Sequence, residues 1–188
     1  HILLRELIDR LILINSDKLY KFFDFSFLNQ LTYRCVGNFY IVFGFLAGCI
    51  GGFLSLLMRL QLIVPNNNLI VGELYNSVFT LHGIIMLYFM VMPVLFGGFG
   101  YWLIPLHLNM RNDNVNIISK YSMVLILLSF IVVVSSFFID DGIGVSWTLM
   151  PPLSILHASL GIDFLLVGIM LFSICLLYTS DAADDLYR

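Results

Sequence analysis

TLHGIIM at residues 80–86 opens an apolar run that continues to Trp102, and His82 is the only residue of an acidic or basic type in it. A run of this length is long enough to cross a bilayer as a helix. A histidine in hydrocarbon is costly and is read as functional by default. Imidazole can ligate a metal through one ring nitrogen while the other donates to a fixed partner. Position alone also fits a helix-end histidine that bonds to a neighbouring carbonyl group or lies among lipid headgroups.

Composition places the chain in a membrane. Of its 188 residues, 60% are hydrophobic and 11% are charged, so too little polar surface is available to cover a soluble domain. The net charge of −3 argues against nucleic acid as a partner. Cys35, Cys49 and Cys175 form no CxxC motif and have no metal-binding spacing.

Long apolar runs separated by polar or glycine-rich loops predict an all-α membrane protein, a transmembrane helix bundle of about four spans. The predicted spans cover approximately residues 39–64, 77–106, 121–139 and 162–174. The last of these is too short to cross a bilayer alone.

Small residues in the first two spans predict close helix packing. Gly44, Gly48 and Gly52 recur every four residues and place a row of hydrogens on one face of the first span, and Gly51 widens this groove. Pro93 removes a backbone donor from the second span, and we expect a kink there.

Five motifs follow one another in family order and spacing, which makes their combination specific. They are LLMR at 56–59, YNSVFTLHGIIM at 75–86, FMVMP at 89–93, GGFGYWLIPL at 97–106, and WT with PPL within 147–153. Residues 39–174 resemble the N-terminal third of subunit I of the mitochondrial haem-copper oxidases, the family of cytochrome c oxidase. The resemblance implies the first part of a twelve-helix catalytic subunit.

The resemblance also implies a cofactor. His82 matches one axial ligand of the low-spin haem a, Arg59 and Ser55 match positions near the haem formyl group, and Trp147 matches an indole donor near the haem propionates. Members of this family take electrons from cytochrome c through subunit II and pass them to haem a. Haem a3 and copper B then reduce dioxygen while protons are pumped. The ligands of that second centre belong to later helices of the family, so we expect no catalytic residue for oxygen chemistry in this chain.

The family's proton path differs at two positions. Tyr101 stands where the resemblance implies an asparagine, and Asn112 stands where it implies a loop aspartate, with Asp113 directly after it. Either the loop is shifted by one residue and Asp113 is the proton entry, or this entry is altered.

Loop charges predict the orientation. Residues 1–38 hold five of the nine basic residues, and the second loop, on the same side, adds Arg111 and Lys120. The positive-inside rule therefore puts the N-terminus on the matrix side of the mitochondrial inner membrane implied by the resemblance. We expect residues 1–38 to form a matrix-side segment. Residues 175–188 turn abruptly from apolar to acidic and resemble a translated sequencing adapter, which predicts that they are not native.

Two other functions fit the same spans. In one, the chain is a small four-helix b-type cytochrome in which His82 and His157 bind one haem. In the other, it is a haem-free membrane protein whose glycine face only packs helices.

Overall fold

Helices make up most of the chain that the computed structural model describes, namely residues 32–63, 70, 72–107, 117–139, 142–156 and 159–184. No strand occurs within these ranges. Four helical segments are long and apolar enough to cross a bilayer. The predicted all-α membrane fold is therefore confirmed, and the protein is a multi-pass membrane protein. The helices are α1 Tyr33–Ile63, α2 Gly72–Ile84, α3 Gly100–His107, α4 Ile117–Ser136, α5 Leu153–Leu156 and α6 Leu160–Asp184.

The first span, α1, begins at Tyr33, six residues before the start predicted from the sequence. Its first turns carry Arg34 and Asn38, whose polar side chains hide the helix start from an apolar pattern. Both side chains are exposed at the helix end, and both contact Trp102 of the second span. The predicted boundary after residue 38 therefore falls inside α1, while residues 1–31 lie outside the described part of the chain.

The second span is one continuous helical segment, Gly72–His107, with α2 and α3 as its two ends. Between them the chain is wound as two π-helical segments, Ile85–Val91 and Pro93–Phe99. Pro93 begins the second of these segments, and the kink expected there stays a prediction. Proline has no N–H to donate to the preceding turn, and wide turns are one way in which a helix accommodates that loss.

A row of small residues lets α1 and the second span pack closely in antiparallel directions. A Cβ atom added at Gly48 would lie 3.1 Å from Met90 Sδ, and one added at Gly51 would lie 2.7 Å from Met86 Sδ. Gly52 is exposed, and no atom of the described residues lies within 4 Å of its hypothetical Cβ, so its predicted place in this interface is wrong. A strict four-residue repeat drifts around a helix of about 3.6 residues per turn, which is why the contact passes to Gly51 instead.

α4 and α6 form a second extensive helix pair. Most of their buried positions recur at alternating intervals of three and four residues, a spacing typical of left-handed helix pairs. On α4 these positions are Ser119, Ser122, Ile126, Ser129, Val133 and Ser136, and on α6 they are Gly161, Leu165, Gly168, Phe172 and Cys175. Ser129 Oγ donates to the Gly168 carbonyl oxygen over 2.7 Å, so a polar bond joins the two helices inside the bundle.

The helix of the fourth span extends beyond both ends predicted for it. Its apolar segment runs over Leu160–Leu177, and α6 itself continues to Asp184. The helix thus continues past the predicted end at residue 174, and Cys175, the first residue of the predicted adapter segment, is fully buried. The adapter origin of residues 175–188 stays a prediction.

Candidate functional site

His82 lies near the start of the second span with its side chain half-buried. Its Nδ1 atom is 2.8 Å from the carbonyl oxygen of Gly51 in α1. Because a carbonyl oxygen can only accept, Nδ1 carries the hydrogen and Nε2 of the neutral ring keeps its lone pair. This is the tautomer that ligates a metal through Nε2, with the ring oriented by the second hydrogen bond.

Ser55 and Arg59 follow Gly51 along α1 at intervals of four residues. Because α1 and the second span run antiparallel with Gly51 against Met86, the same register puts Ser55 at the level of His82. Arg59 follows about one turn further along the helix. Ser55 is half-buried and Arg59 is exposed. Two groups that can donate hydrogen bonds thus lie on α1 at the same end of the bundle as the histidine.

The loop after α4 is attached to the second span close to His82. The Ser146 backbone N–H donates to Thr80 Oγ1 over 3.0 Å, and Thr80 Oγ1 donates to the Asn76 carbonyl oxygen over 2.8 Å. Trp147, the next residue of the loop, packs against Gly83, where an added Cβ would lie 3.4 Å from three of its side-chain carbons. The indole is therefore next to the residue that follows His82 in the chain.

A tight turn presents Trp147. The Leu149 backbone N–H donates to the Ser146 carbonyl oxygen over 3.2 Å, and these two residues have positive φ angles of 51° and 72°. Such backbone conformations cost of the order of 1–3 kcal/mol each for residues other than glycine. The turn persists because its contacts with the second span hold it in place.

Four predicted site residues lie at one end of the bundle, opposite the start of α1. They are Ser55, Arg59, His82 and Trp147. Trp147 meets the backbone beside His82, and Ser55 lies at the same level on α1. Two other predicted site residues, Asp113 and His157, fall outside the described ranges, so their predicted roles stay predictions.

Two residues at this end go beyond what the sequence predicts. The glycine pattern indicates Gly51 only as a packing residue, although its carbonyl oxygen binds the imidazole. Thr80 enters the sequence argument only as part of a motif, although it holds the Trp147 loop. The position of Thr80, two residues before an intramembrane histidine, could have indicated its role from the sequence. The role of Gly51 rests on a backbone carbonyl group, which every residue has, so the sequence gives no signal for it.

A second polar cluster lies toward the other end of the bundle, within the apolar interior. Tyr40 Oη and Ser122 Oγ are 2.7 Å apart, and Cys175 Sγ is 3.7 Å from Tyr40 Oη. The Cys175 thiol also donates to the Ser122 carbonyl oxygen over 3.1 Å. The cluster links α1, α4 and α6, and it satisfies polar groups that have no access to water.

Tyr101, the residue at the predicted asparagine position of the proton path, lies beside this cluster. Its ring stacks on both Tyr33 and Tyr40, with centroids 6.3 Å and 6.0 Å apart. Its hydroxyl group and Ser119 Oγ are buried without a hydrogen-bond partner among the described residues. Bound water is the usual partner of such atoms.

The residues around His82 fit a haem. A haem needs only one imidazole from each side of its iron, with the ring orientation fixed by a bond to the other nitrogen. His82 can supply one such imidazole through Nε2, because Nδ1 is bound to the Gly51 carbonyl oxygen. Its Nδ1–Gly51 bond is the feature that such a ligand requires.

Comparison with known proteins gives concordant matches. Residues 35–180 match the family described as Cytochrome C and Quinol oxidase polypeptide I. The chain is 34% identical over 162 residues to cytochrome c oxidase subunit 1 of Plasmodium berghei, an alignment covering 83% of this chain and 34% of that relative. It is 38% identical over 146 residues to cytochrome c oxidase subunit 1 of Pecten maximus, covering 76% of this chain and 31% of that relative. The chain thus spans about a third of the length of the curated relatives it matches.

Proposed function

Because this chain belongs to the family of cytochrome c and quinol oxidase polypeptide I, we propose that it forms part of the catalytic subunit of a cytochrome c oxidase. In this proposal His82 is one axial ligand of a low-spin haem a. The supporting observation is the 2.8 Å contact between His82 Nδ1 and the Gly51 carbonyl oxygen, which leaves Nε2 free to bind iron.

A haem with two imidazole ligands supplies one-electron transfer and has no open position for oxygen. The protein's contribution is to place and orient the ligand. Gly51 has no side chain, so the second span approaches α1 closely enough for His82 to reach a main-chain carbonyl group. That bond keeps the ring proton on Nδ1, so the Nε2 lone pair can bind iron without a change of tautomer.

Ser55, Arg59 and Trp147 support the cofactor in this proposal. With a haem bound, Ser55 and Arg59 would donate hydrogen bonds to its formyl group, and such bonds would raise the haem potential. The Trp147 indole N–H would donate to the haem propionate groups. Thr80 acts as a positioning residue, because it binds the backbone of Ser146 immediately before the indole.

The complete protein would transfer electrons from cytochrome c, through subunit II, to dioxygen, with proton pumping. Haem a3 and copper B would then be bound by other parts of the subunit. The location proposed is the mitochondrial inner membrane, with the N-terminus in the matrix, since basic residues predominate in the segments assigned to that side. The other oxidase subunits and the lipid bilayer are the proposed partners.

Reduced-minus-oxidised spectra of membranes containing the complete gene product test the haem assignment. His82→Gly should abolish the low-spin haem a band, and added imidazole should restore it, because a free ligand can occupy the space left by the side chain. Restoration separates loss of a ligand from loss of the fold.

His107→Ala is the matched control, since His107 is exposed at the other end of the same span. We expect its spectrum to equal that of the unmodified protein. A low-spin band that survives in His82→Gly without imidazole would exclude His82 as the ligand. A b-type band in place of the haem a band would favour the small cytochrome.

A further inference from the structure

The loop that carries Trp147 lies along the first turns of the second span. Three contacts follow one another in the same order in both elements: Gly142 against Ser77, the Ser146 N–H against Thr80 Oγ1, and the Trp147 indole against Gly83. The three helix positions are three residues apart, about 4.5 Å per step, so they lie along one side of the helix. The loop is therefore attached to the second span in a single register over about 9 Å.

The closest of these contacts joins Gly142 to Ser77. A Cβ atom added at Gly142 would lie 2.6 Å from Ser77 Oγ and 2.8 Å from Ser77 Cβ. Gly142 also has a φ angle of 93°, a backbone conformation that favours glycine. Ser77 is buried, and its hydroxyl group donates to the Glu73 carbonyl oxygen over 3.1 Å, so it cannot turn away without losing that bond. Any side chain at position 142 would therefore push the loop away from the helix.

The segment between Gly142 and Trp147 is held from two sides. Ile143 and Val145 are buried, and Ile143 packs against Gly161 at the start of α6. The residues between and beside them contact the second span, so successive residues face alternate sides, as in extended backbone. An extended segment has little slack. A displacement at Gly142 is therefore carried along the chain to Trp147.

We propose that Ser77 and Gly142 are positioning residues for Trp147. Their contact sets the level of the loop on the second span, and this level puts the indole beside Gly83, the residue after His82. The inference rests on the proposed function, in which the indole N–H would donate to the haem propionate groups. Such a bond would spread the negative charge of a carboxylate and so raise the haem potential. A displaced loop would lose the bond and lower the potential.

Spectroelectrochemical titration of haem a in membranes containing the complete gene product tests this proposal. Trp147→Phe removes the indole N–H, and we expect a lower midpoint potential. Gly142→Ala should give most of the same decrease, but no further decrease in the Trp147→Phe background, because it acts through the indole. Ser77→Gly removes both atoms that the new Cβ would meet. Added to Gly142→Ala, it should restore part of the potential, whereas a second change that only weakened the helix would not.

Gly144→Ala is the matched control from the same loop. Its Cβ atom would lie 3.5 Å from Asn76 Cβ, an ordinary van der Waals distance, so the potential should equal that of the unmodified protein. An equal decrease in Gly144→Ala overturns the positioning role, and so do additive effects of Gly142→Ala and Trp147→Phe.

The same titration separates this proposal from the proposed function. If Trp147→Phe lowers the potential and Gly142→Ala does not, the positioning role alone is wrong. If Trp147→Phe leaves the potential unchanged, or the unmodified protein holds no haem a, the proposed function is wrong at that point and the positioning role is wrong with it. If Gly142→Ala fails to assemble with haem, Ser77→Val adds bulk from the helix side, and an unchanged potential in that variant also overturns the positioning role.

Discussion

Replacing Gly97 by alanine should separate the second span from α1. A Cβ atom at this position would lie 2.6 Å, 2.8 Å and 3.0 Å from three ring atoms of Tyr40. The ring cannot turn aside easily, because it is buried and its hydroxyl group is bonded to Ser122 over 2.7 Å. Ordinary van der Waals contact begins near 3.4 Å, so the two helices must move apart by about 0.8 Å or the ring must leave its position.

The expected free energy combines three contributions. Overpacking in a filled core costs about 1–3 kcal/mol. Weakening the Tyr40–Ser122 hydrogen bond costs about 1 kcal/mol more. Alanine in place of glycine recovers about 1 kcal/mol in a helix. We therefore expect Gly97→Ala to lower the free energy of unfolding by about 1–3 kcal/mol.

Gly100→Ala is the control on the same helix. No atom of the described residues lies within 4 Å of its hypothetical Cβ, so only the helix preference remains and the protein should gain up to about 1 kcal/mol. Reversible unfolding by titration with denaturing detergent, followed by circular dichroism, measures both variants. Equal stability of the two variants would refute the packing geometry described for Gly97.

Two further predictions concern single hydrogen bonds. Ser129→Ala should destabilise the pairing of α4 with α6 by about 0.6–1 kcal/mol, because it removes the bond to the Gly168 carbonyl group; Ser173→Ala, which removes a bond within one helix, should cost less in the same unfolding assay. Thr80→Val should free the Ser146 backbone, and hydrogen exchange of that amide should accelerate at least several-fold; an unchanged exchange rate would show that the loop is held by other contacts.

The spans could be predicted from the sequence because each is long, apolar and bounded by polar residues. Their ends could not, since a helix end at the membrane surface is polar. Arg34 and Asn38 resemble a loop in composition, yet they belong to α1 because their side chains find partners on Trp102. Cys175 is left out of the predicted fourth span because the residues after it become acidic. In the structure its side chain is buried against α4, where the thiol donates to the Ser122 carbonyl oxygen.

The surroundings of the histidine were predictable only in part. A histidine within an apolar span is energetically costly and therefore indicates a functional site, and the motif around His82 indicates the family. Its partner is a main-chain carbonyl group from another helix, 31 residues earlier in the chain, and no side chain announces it. Thr80 and Ser146 are 66 residues apart in the chain, so the hydrophobic periodicity of the sequence could not predict their contact either. Gly52 shows the opposite error, in which a regular repeat suggests a contact that helical rotation prevents.

The two π-helical segments determine how far one end of the second span is rotated about the helix axis relative to the other end. Each residue advances an α-helix by about 100°, whereas the wider π turn advances by less. His82 contacts Gly51 before these segments, and Trp102 contacts Gly37 after them. Both side chains therefore face α1, and the wide turns between them set the rotation of one end of the helix relative to the other. Deleting one residue between them would rotate one end by nearly a third of a turn. The histidine or the tryptophan would then face lipid, while the length and hydropathy of the span hardly changed.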